Sequence, residues 1–141
     1  MLLNSWGEIA RENWINTESI RDNVRLDVFV VMPNHIHGII EIVDSKNIVG
    51  VYRNTPLRSD SPVNQSEFKS PSETIGAIVR GYKSTVTKQI NKIRNSPGEK
   101  VWQRNYYDHI IRDKKSLERI RYYIIQNPAQ WQEDQNNPIN V

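Results

Sequence analysis

Asp27-Val28-Phe29-Val30-Val31-Met32-Pro33-Asn34-His35-Ile36-His37-Gly38-Ile39-Ile40-Glu41-Ile42 decides how the rest of the chain is read. An apolar run rich in Val and Phe meets Pro33-Asn34, then restarts and alternates through Ile42. That is the pattern of two short antiparallel strands joined by a tight turn. On the second strand His35 and His37 stand two apart and share one face, while Ile36, Ile40 and Ile42 point to the other. Two imidazoles spaced about 6–7 Å along a strand can converge on one metal ion when a third group arrives from elsewhere. A His-x-His pair is equally at home on a solvated strand without any metal, so spacing alone leaves both readings open.

Outward from the hairpin, the N-terminal side predicts a helix over 6–20, with Trp6, Ile9, Ala10 and Trp14 on its apolar side and Ile15 off that line. On the C-terminal side, residues 44–69 carry Gly50, Pro56 and Pro62 among Ser, Asn and Asp with little periodicity. They are expected to form a long loop or disordered insertion at the substrate edge. Ser70-Pro71-Ser72-Glu73 has the form of a capping box. Behind it Ile75, Ile78, Val79, Tyr82, Val86, Ile90 and Ile93 recur at threes and fours, predicting one helix to about Arg94. Val101-Trp102 and then Tyr106 to Arg112 alternate as strand. Asp113 or Ser116 can cap a last helix with Leu117, Ile120 and Ile124 as its buried stripe, and Pro128 sets its limit near Asn127. The reading gives one domain over 1–131 and a polar tail over 132–141, with no internal repeat.

Composition supports a globular chain: 141 residues, 37% hydrophobic and 25% charged, is enough for a real core. No run approaches the roughly 18 apolar residues of a membrane span. Zero cysteines exclude a disulfide framework and any thiolate site. A bacterial cytoplasmic, nucleoid-associated location is the matching expectation. Net charge is only +3, but residues 73–115 hold ten Lys/Arg against four Asp/Glu. Basic charge concentrated beside a candidate metal site makes a polyanion the leading partner class, with a plain solvated basic face as the alternative.

The last helix carries the remaining chemistry. Tyr123 and Asn127 are four apart and stack on one side of it. Asn127 can present an amide oxygen to a hard cation, and Tyr123 a phenol. A free phenol is a weak nucleophile at neutral pH, so such a site needs a cation that polarises the phosphate. A phosphotyrosine conserves the energy of the broken phosphodiester, which suits breaking and rejoining nucleic acid. The bland alternative is that Tyr122 and Tyr123 are packing residues and Asn127 a helix-end residue before proline.

Val31-Met32-Pro33-Asn34-His35-Ile36-His37-Gly38 resembles the histidine-hydrophobe-histidine motif of the IS200-like (HUH, single-tyrosine) transposases. Trp102-Gln103-Arg104, Tyr107-Asp108-His109-Ile110-Ile111-Arg112 and Ile120-Arg121-Tyr122-Tyr123-Ile124-Ile125-Gln126-Asn127-Pro128 are similar to that family's later blocks. The nearest branch is the REP-associated tyrosine transposases, and the likeness covers roughly residues 25–131. The resemblance implies an α+β, ferredoxin-like antiparallel sheet with helices on one face, and metal-dependent nicking of single-stranded DNA beside hairpins. It places the nucleophile on Tyr123 rather than Tyr122, and the amide-type third metal ligand on Asn127. Such proteins usually begin with a central strand before the first helix, and residues 1–25 contain nothing like it. The expectation is a sheet lacking the family's first strand, in a shortened copy or with another segment in its place.

The expected enzyme is therefore an HUH-type tyrosine transposase and endonuclease. His35, His37 and Asn127 would hold Mg²⁺ or Mn²⁺, with zinc a poorer fit to oxygen-rich positions. Tyr123 would attack phosphorus, leaving a free 3′-hydroxyl and a 5′-phosphotyrosyl link. Arg80, Lys83 and Arg104 are candidate phosphate contacts, and Trp102, Tyr106 and Tyr107 candidate base-stacking residues. His109 reads as a packed or second-sphere histidine. Expected partners are single-stranded or hairpin DNA, a homodimer staying open, and no membrane. The rivals are a catalytically inactive hairpin-DNA-binding module and a metal-dependent phosphodiesterase in which tyrosine only positions substrate.

Overall fold

The computed structural model describes residues 2–43, 73–134 and 137. The order is α1 (Ser5–Ile20), β1 (Val24–Val31), β2 (Ile36–Ile42), α2 (Ile75–Ile93) and α3 (Lys114–Gln130), closed by a 3₁₀ turn at Trp131–Glu133. This is a small α+β fold with an open, two-stranded antiparallel sheet and a layer of helices, α1 and α2, on one face. The expected loop over 44–69 lies outside the described residues, as do Ser70 to Ser72 and most of the polar tail.

The hairpin forms as its sequence predicts, with the Met32 amide donating to the His35 carbonyl at 2.8 Å across Pro33-Asn34. Its register pairs Val31 with Ile36, Val30 with His37, Phe29 with Gly38 and Leu26 with Ile40. Between the last two pairs, Asp27 and Val28 oppose Ile39 alone, which is a β-bulge. The bulge lets Leu26 on one side of it and Phe29 and Val31 on the other all face the helical layer. There they meet Ile36 and Ile40 from β2 and a core of Ile9, Ala10, Trp14, Tyr82, Val86 and Ile90. His37 and Asp27 are thereby turned to the opposite side of the sheet.

Helix α1 starts where Asn4 accepts from the Gly7 amide at 2.9 Å. Ile15 is half-exposed, as its position off the apolar line predicts. Trp6 is not core: it is 42% exposed and lies under the Arg94 guanidinium, 5.6 Å from the ring centroid. Polar residues complete the α1–α2 seam, where Asn13 Nδ2 donates to Gln89 Oε1 at 3.0 Å and Tyr82 donates its hydroxyl to the Ala10 carbonyl at 3.0 Å. Burial pushes the Tyr82 phenol far above its ordinary range, so it stays a donor.

Gly38 shows how tightly the sheet meets this layer. A Cβ there would clash with the Cζ2 edge of the Trp14 indole, which covers the strand at that point. Gly38→Ala is therefore expected to lower stability by about 1–3 kcal/mol, the usual cost of forcing extra volume into a packed site. Thermal denaturation checks it, and an unchanged midpoint would refute the close approach.

Three expectations are corrected. Helix α2 is capped by Thr74, whose hydroxyl accepts from the Ala77 amide at 3.2 Å, so its start lies beyond the Ser70–Glu73 box. Helix α3, capped by Asp113, does not stop at Asn127 but runs through Pro128 to Gln130. Proline is most costly in a helix interior, and here it falls in the last turn, where the backbone is already tightening into the 3₁₀ turn. Finally, residues 101–112 form no strand. A strand needs a ladder partner, and the described sheet consists of β1 and β2 alone. Trp102 instead packs on Tyr82, with ring centroids 5.6 Å apart, and Tyr107 stands 91% exposed.

Candidate metal and phosphoryl-transfer site

Helix α3 reaches the His37 side of the sheet through the residue that the bulge turns outward. Asp27 Oδ2 receives Arg121 Nε at 2.8 Å and Arg121 Nη2 at 2.6 Å, two charge-assisted contacts that converge on one oxygen. The guanidinium holds the Asp27 carboxyl below its ordinary range, against a smaller opposing effect of burial. A depressed carboxyl stabilises the fold above its unfolded value, near pH 4, and that contribution disappears as pH falls through the folded value. Asp27→Asn should cost about 1 kcal/mol at neutral pH, since the half-exposed arginine is screened by solvent. Its stability should also fall less steeply than wild type on acidification below about pH 4. Parallel acid limbs in urea titrations of the two proteins would contradict this.

Above that anchor, Tyr123, Asn127 and Trp131 follow at four-residue intervals. The Tyr123 ring lies edge-on to His37, centroids 5.5 Å apart. Trp131 lies 6.0 Å from the His35 ring. Asn127, between them in sequence and on the same side of the helix, is only 2% exposed. Its Oδ1 has no hydrogen-bond partner among the described residues. The chain therefore keeps a bare amide oxygen in the stripe whose two ends meet the histidines.

The histidines themselves are oriented. Asn34 Oδ1 lies 2.6 Å from Nδ1 of His35, which places the proton on Nδ1 and leaves a lone pair on Nε2. The Nε2 atoms of His35 and His37 are 3.0 Å apart. That is the spacing of an N–H···N hydrogen bond in which His37 donates to the His35 lone pair, and a bound cation would take the place of that proton. Burial lowers both imidazoles below their ordinary values, His37 also because His35 is close, while Asp134 works against this at each. Both are thus neutral at neutral pH, the form that ligates metal.

Among the described residues no group of three or more His, Cys, Asp or Glu could hold a metal ion. The remaining candidate donors are two imidazoles and one amide oxygen. This is too sparse for a closed structural site and suited to a hard cation that keeps positions for water or phosphate oxygen. The orphaned Asn127 oxygen fits such a cation.

The expected DNA contacts separate. Arg80, Lys83 and Trp102 line one groove between α2 and residues 95–106, and Arg104 and Tyr107 are not part of its lining. Lys83 Nζ donates to the carbonyls of Gln103 at 3.3 Å and Asn105 at 2.7 Å, so it holds the loop together. Trp102 is anchored by Nε1 donating to the Lys83 carbonyl at 3.2 Å. His109 is exposed, not packed. Sequence reading missed Asp27, Arg121, Trp131 and Asp134. A lone acid in an apolar strand was the available signal for the first, and the four-residue interval from Asn127 for Trp131.

A protein of Haemophilus influenzae, described as "Uncharacterized protein", is 46% identical over 135 residues, 96% of this chain and 71% of that protein. No protein-family model matches the chain, and no solved structure matches it. No helix among the described residues is long and apolar enough to cross a membrane.

Proposed function

Since the chain belongs to the same family as that Haemophilus influenzae protein, whose description carries no activity, we propose a function from the site and its motifs alone: metal-dependent nicking and strand transfer on single-stranded DNA beside hairpins. This is the chemistry of the IS200-like transposases, in the REP-associated branch, on a ferredoxin-like domain. The observation that carries the reading is the buried Asn127 oxygen without a partner, one helical turn from a tyrosine whose ring meets His37. Surface packing of two aromatic residues accounts for the ring contact but not for the bare oxygen, since a buried acceptor left unpaired costs about 1–3 kcal/mol.

In this mechanism His35, His37 and Asn127 would hold Mg²⁺ or Mn²⁺, which would supply positive charge to the phosphate oxygens. The Tyr123 hydroxyl gives its proton to solvent and its Oη bonds to phosphorus as the bond from phosphorus to O3′ breaks. The 3′ oxygen leaves and collects a proton as a free hydroxyl, and the 5′ side stays linked to tyrosine. A later 3′-hydroxyl reverses the step on a new strand, which completes recombination without an external energy source. Arg121 and Asp27 act on this step only through α3, by fixing where Tyr123 and Asn127 lie.

One observation favours the alternative of a catalytically inactive hairpin-DNA-binding module. Among the described residues the sheet has two strands and residues 106–112 have no ladder partner, so the described shell that would steady β2 is thin. Trapping of a covalent protein–DNA adduct decides between them: adduct supports the transposase, tight binding without adduct supports the module, and metal-dependent cleavage without adduct supports a phosphodiesterase.

A further inference from the structure

We infer that the groove between α2 and residues 95–106 is a second nucleic-acid track, separate from the Tyr123 site, which grips the backbone of an unpaired strand. The choice of DNA as the polyanion rests on the function proposed above; the groove itself does not.

The groove measures about 1120 Å³, and its lining includes none of His35, His37, Tyr123 or Asn127. Five cations border it, Arg80, Lys83, Lys88, Lys92 and Lys100, with Glu99 the one carboxylate among the lining residues. On α2, Arg80, Ser84, Lys88 and Lys92 follow at intervals of four. Each step advances about 6 Å along the axis, so the polar heads form a row over about 18 Å. That interval is comparable with the distance between successive phosphates of an extended strand. Lysine stems covering an apolar floor with their heads in water would explain the exposure of each residue. They would not explain five like charges gathered around one groove with a single acid, an arrangement that repels itself until an anion lies in it.

The opposite wall says which nucleic acid. Val101, Trp102 and Tyr106 make it partly apolar, and Tyr106 is 44% exposed. The Lys83 ammonium stands 5.8 Å from the Trp102 ring centroid and 6.0 Å from that of Tyr106, while its two carbonyl bonds tie down the backbone of the same wall. Lys83 is thus a positioning residue that adds charge to the groove and holds its ring-bearing side in place. A phosphate row on one wall and an available ring on the other suit an unpaired strand, whose bases are free to stack. A duplex hides its base faces.

The test is binding of a labelled oligothymidylate by fluorescence anisotropy in EDTA, across a salt series, so that metal and chemistry play no part. Lys88, Lys92 and Lys100 are exposed, and the variant carrying all three as alanine should fold with an unchanged thermal midpoint. Its affinity should fall about tenfold or more, and the log–log salt slope should shrink by about 2, since each lost single-strand contact removes about 0.7. Tyr106→Leu should weaken binding about tenfold with the slope unchanged. The control changes Lys114, Lys115 and Arg119 together to alanine, an equal loss of charge on α3, and should bind within about twofold of wild type. Unchanged affinity in the groove variant, or equal weakening in the control, overturns the track. Tighter binding of a duplex of the same length, or no effect of Tyr106→Leu, overturns the assignment to an unpaired strand. If the groove variant behaves as expected while wild type forms no covalent adduct, the nicking chemistry falls and the track stands.

Discussion

Incubated with Mn²⁺ and a single strand carrying a hairpin, Tyr123→Phe is expected to form no covalent adduct, a loss of at least about 10³-fold, whereas Tyr122→Phe forms it at a rate comparable with wild type. Adjacent helical residues point about 100° apart, so one position of the pair can face the histidines and its neighbour cannot. The Tyr123 ring contacts His37, while Tyr122 is 67% exposed. Removing one hydroxyl from Tyr123 leaves the ring against His37, so a loss is chemical rather than structural. With 5′-labelled and 3′-labelled strands, denaturing electrophoresis should find wild-type protein attached to the 3′ fragment, which reports a 5′-phosphotyrosyl bond. Normal adduct from Tyr123→Phe would show the nucleophile to be another residue. Absence of adduct from folded, metal-loaded wild type on its flanking repeats would leave the binding module as the function.

Much of the architecture was legible because it depends on local pattern. The hairpin follows from apolar alternation interrupted by Pro33-Asn34, and the face shared by His35 and His37 follows from strand periodicity. The stacking of Tyr123 with Asn127 needs only the helical repeat. Other features depend on partners distant in sequence. Tyr106 to Arg112 has the alternation of a strand, but alternation does not supply a neighbour to pair with. The bulge at Asp27-Val28 breaks the period within a uniformly apolar run, so sequence alone does not say that Asp27 turns toward Arg121, 94 residues later. Pro128 reads as a stop, yet its place in the final turn lets α3 continue and bring Trp131 to His35. Lys83 looked like a phosphate contact because it is a basic residue on a helix; the carbonyls of Gln103 and Asn105 that occupy it come from a loop 20 and 22 residues away.

Asn127→Leu should separate the ligand role of this residue from any structural one, because the two roles predict opposite signs. The side chain is buried and its Oδ1 has no partner among the described residues, so in metal-free protein it is a desolvated acceptor. Leucine keeps the same branched skeleton of heavy atoms, and replacing the amide with it removes a penalty of about 1–3 kcal/mol. In EDTA the variant should therefore melt at or above the wild-type temperature. Mn²⁺ should reverse the ranking. A ligand that binds only the folded state at a hundred times its dissociation constant adds about 2.7 kcal/mol, so wild type should gain several degrees. The variant, reduced to two imidazoles, should gain little and should lose Mn²⁺-dependent nicking with Tyr123 intact. His37→Ala should also lose the Mn²⁺ response, without the gain in EDTA, because it removes a neutral imidazole that has partners. A variant that is destabilised in EDTA would mean that the oxygen supports the fold through contacts of its own. A Mn²⁺ response equal to that of wild type would remove Asn127 from the ligand set and leave two histidines 3.0 Å apart as a hydrogen-bonded pair.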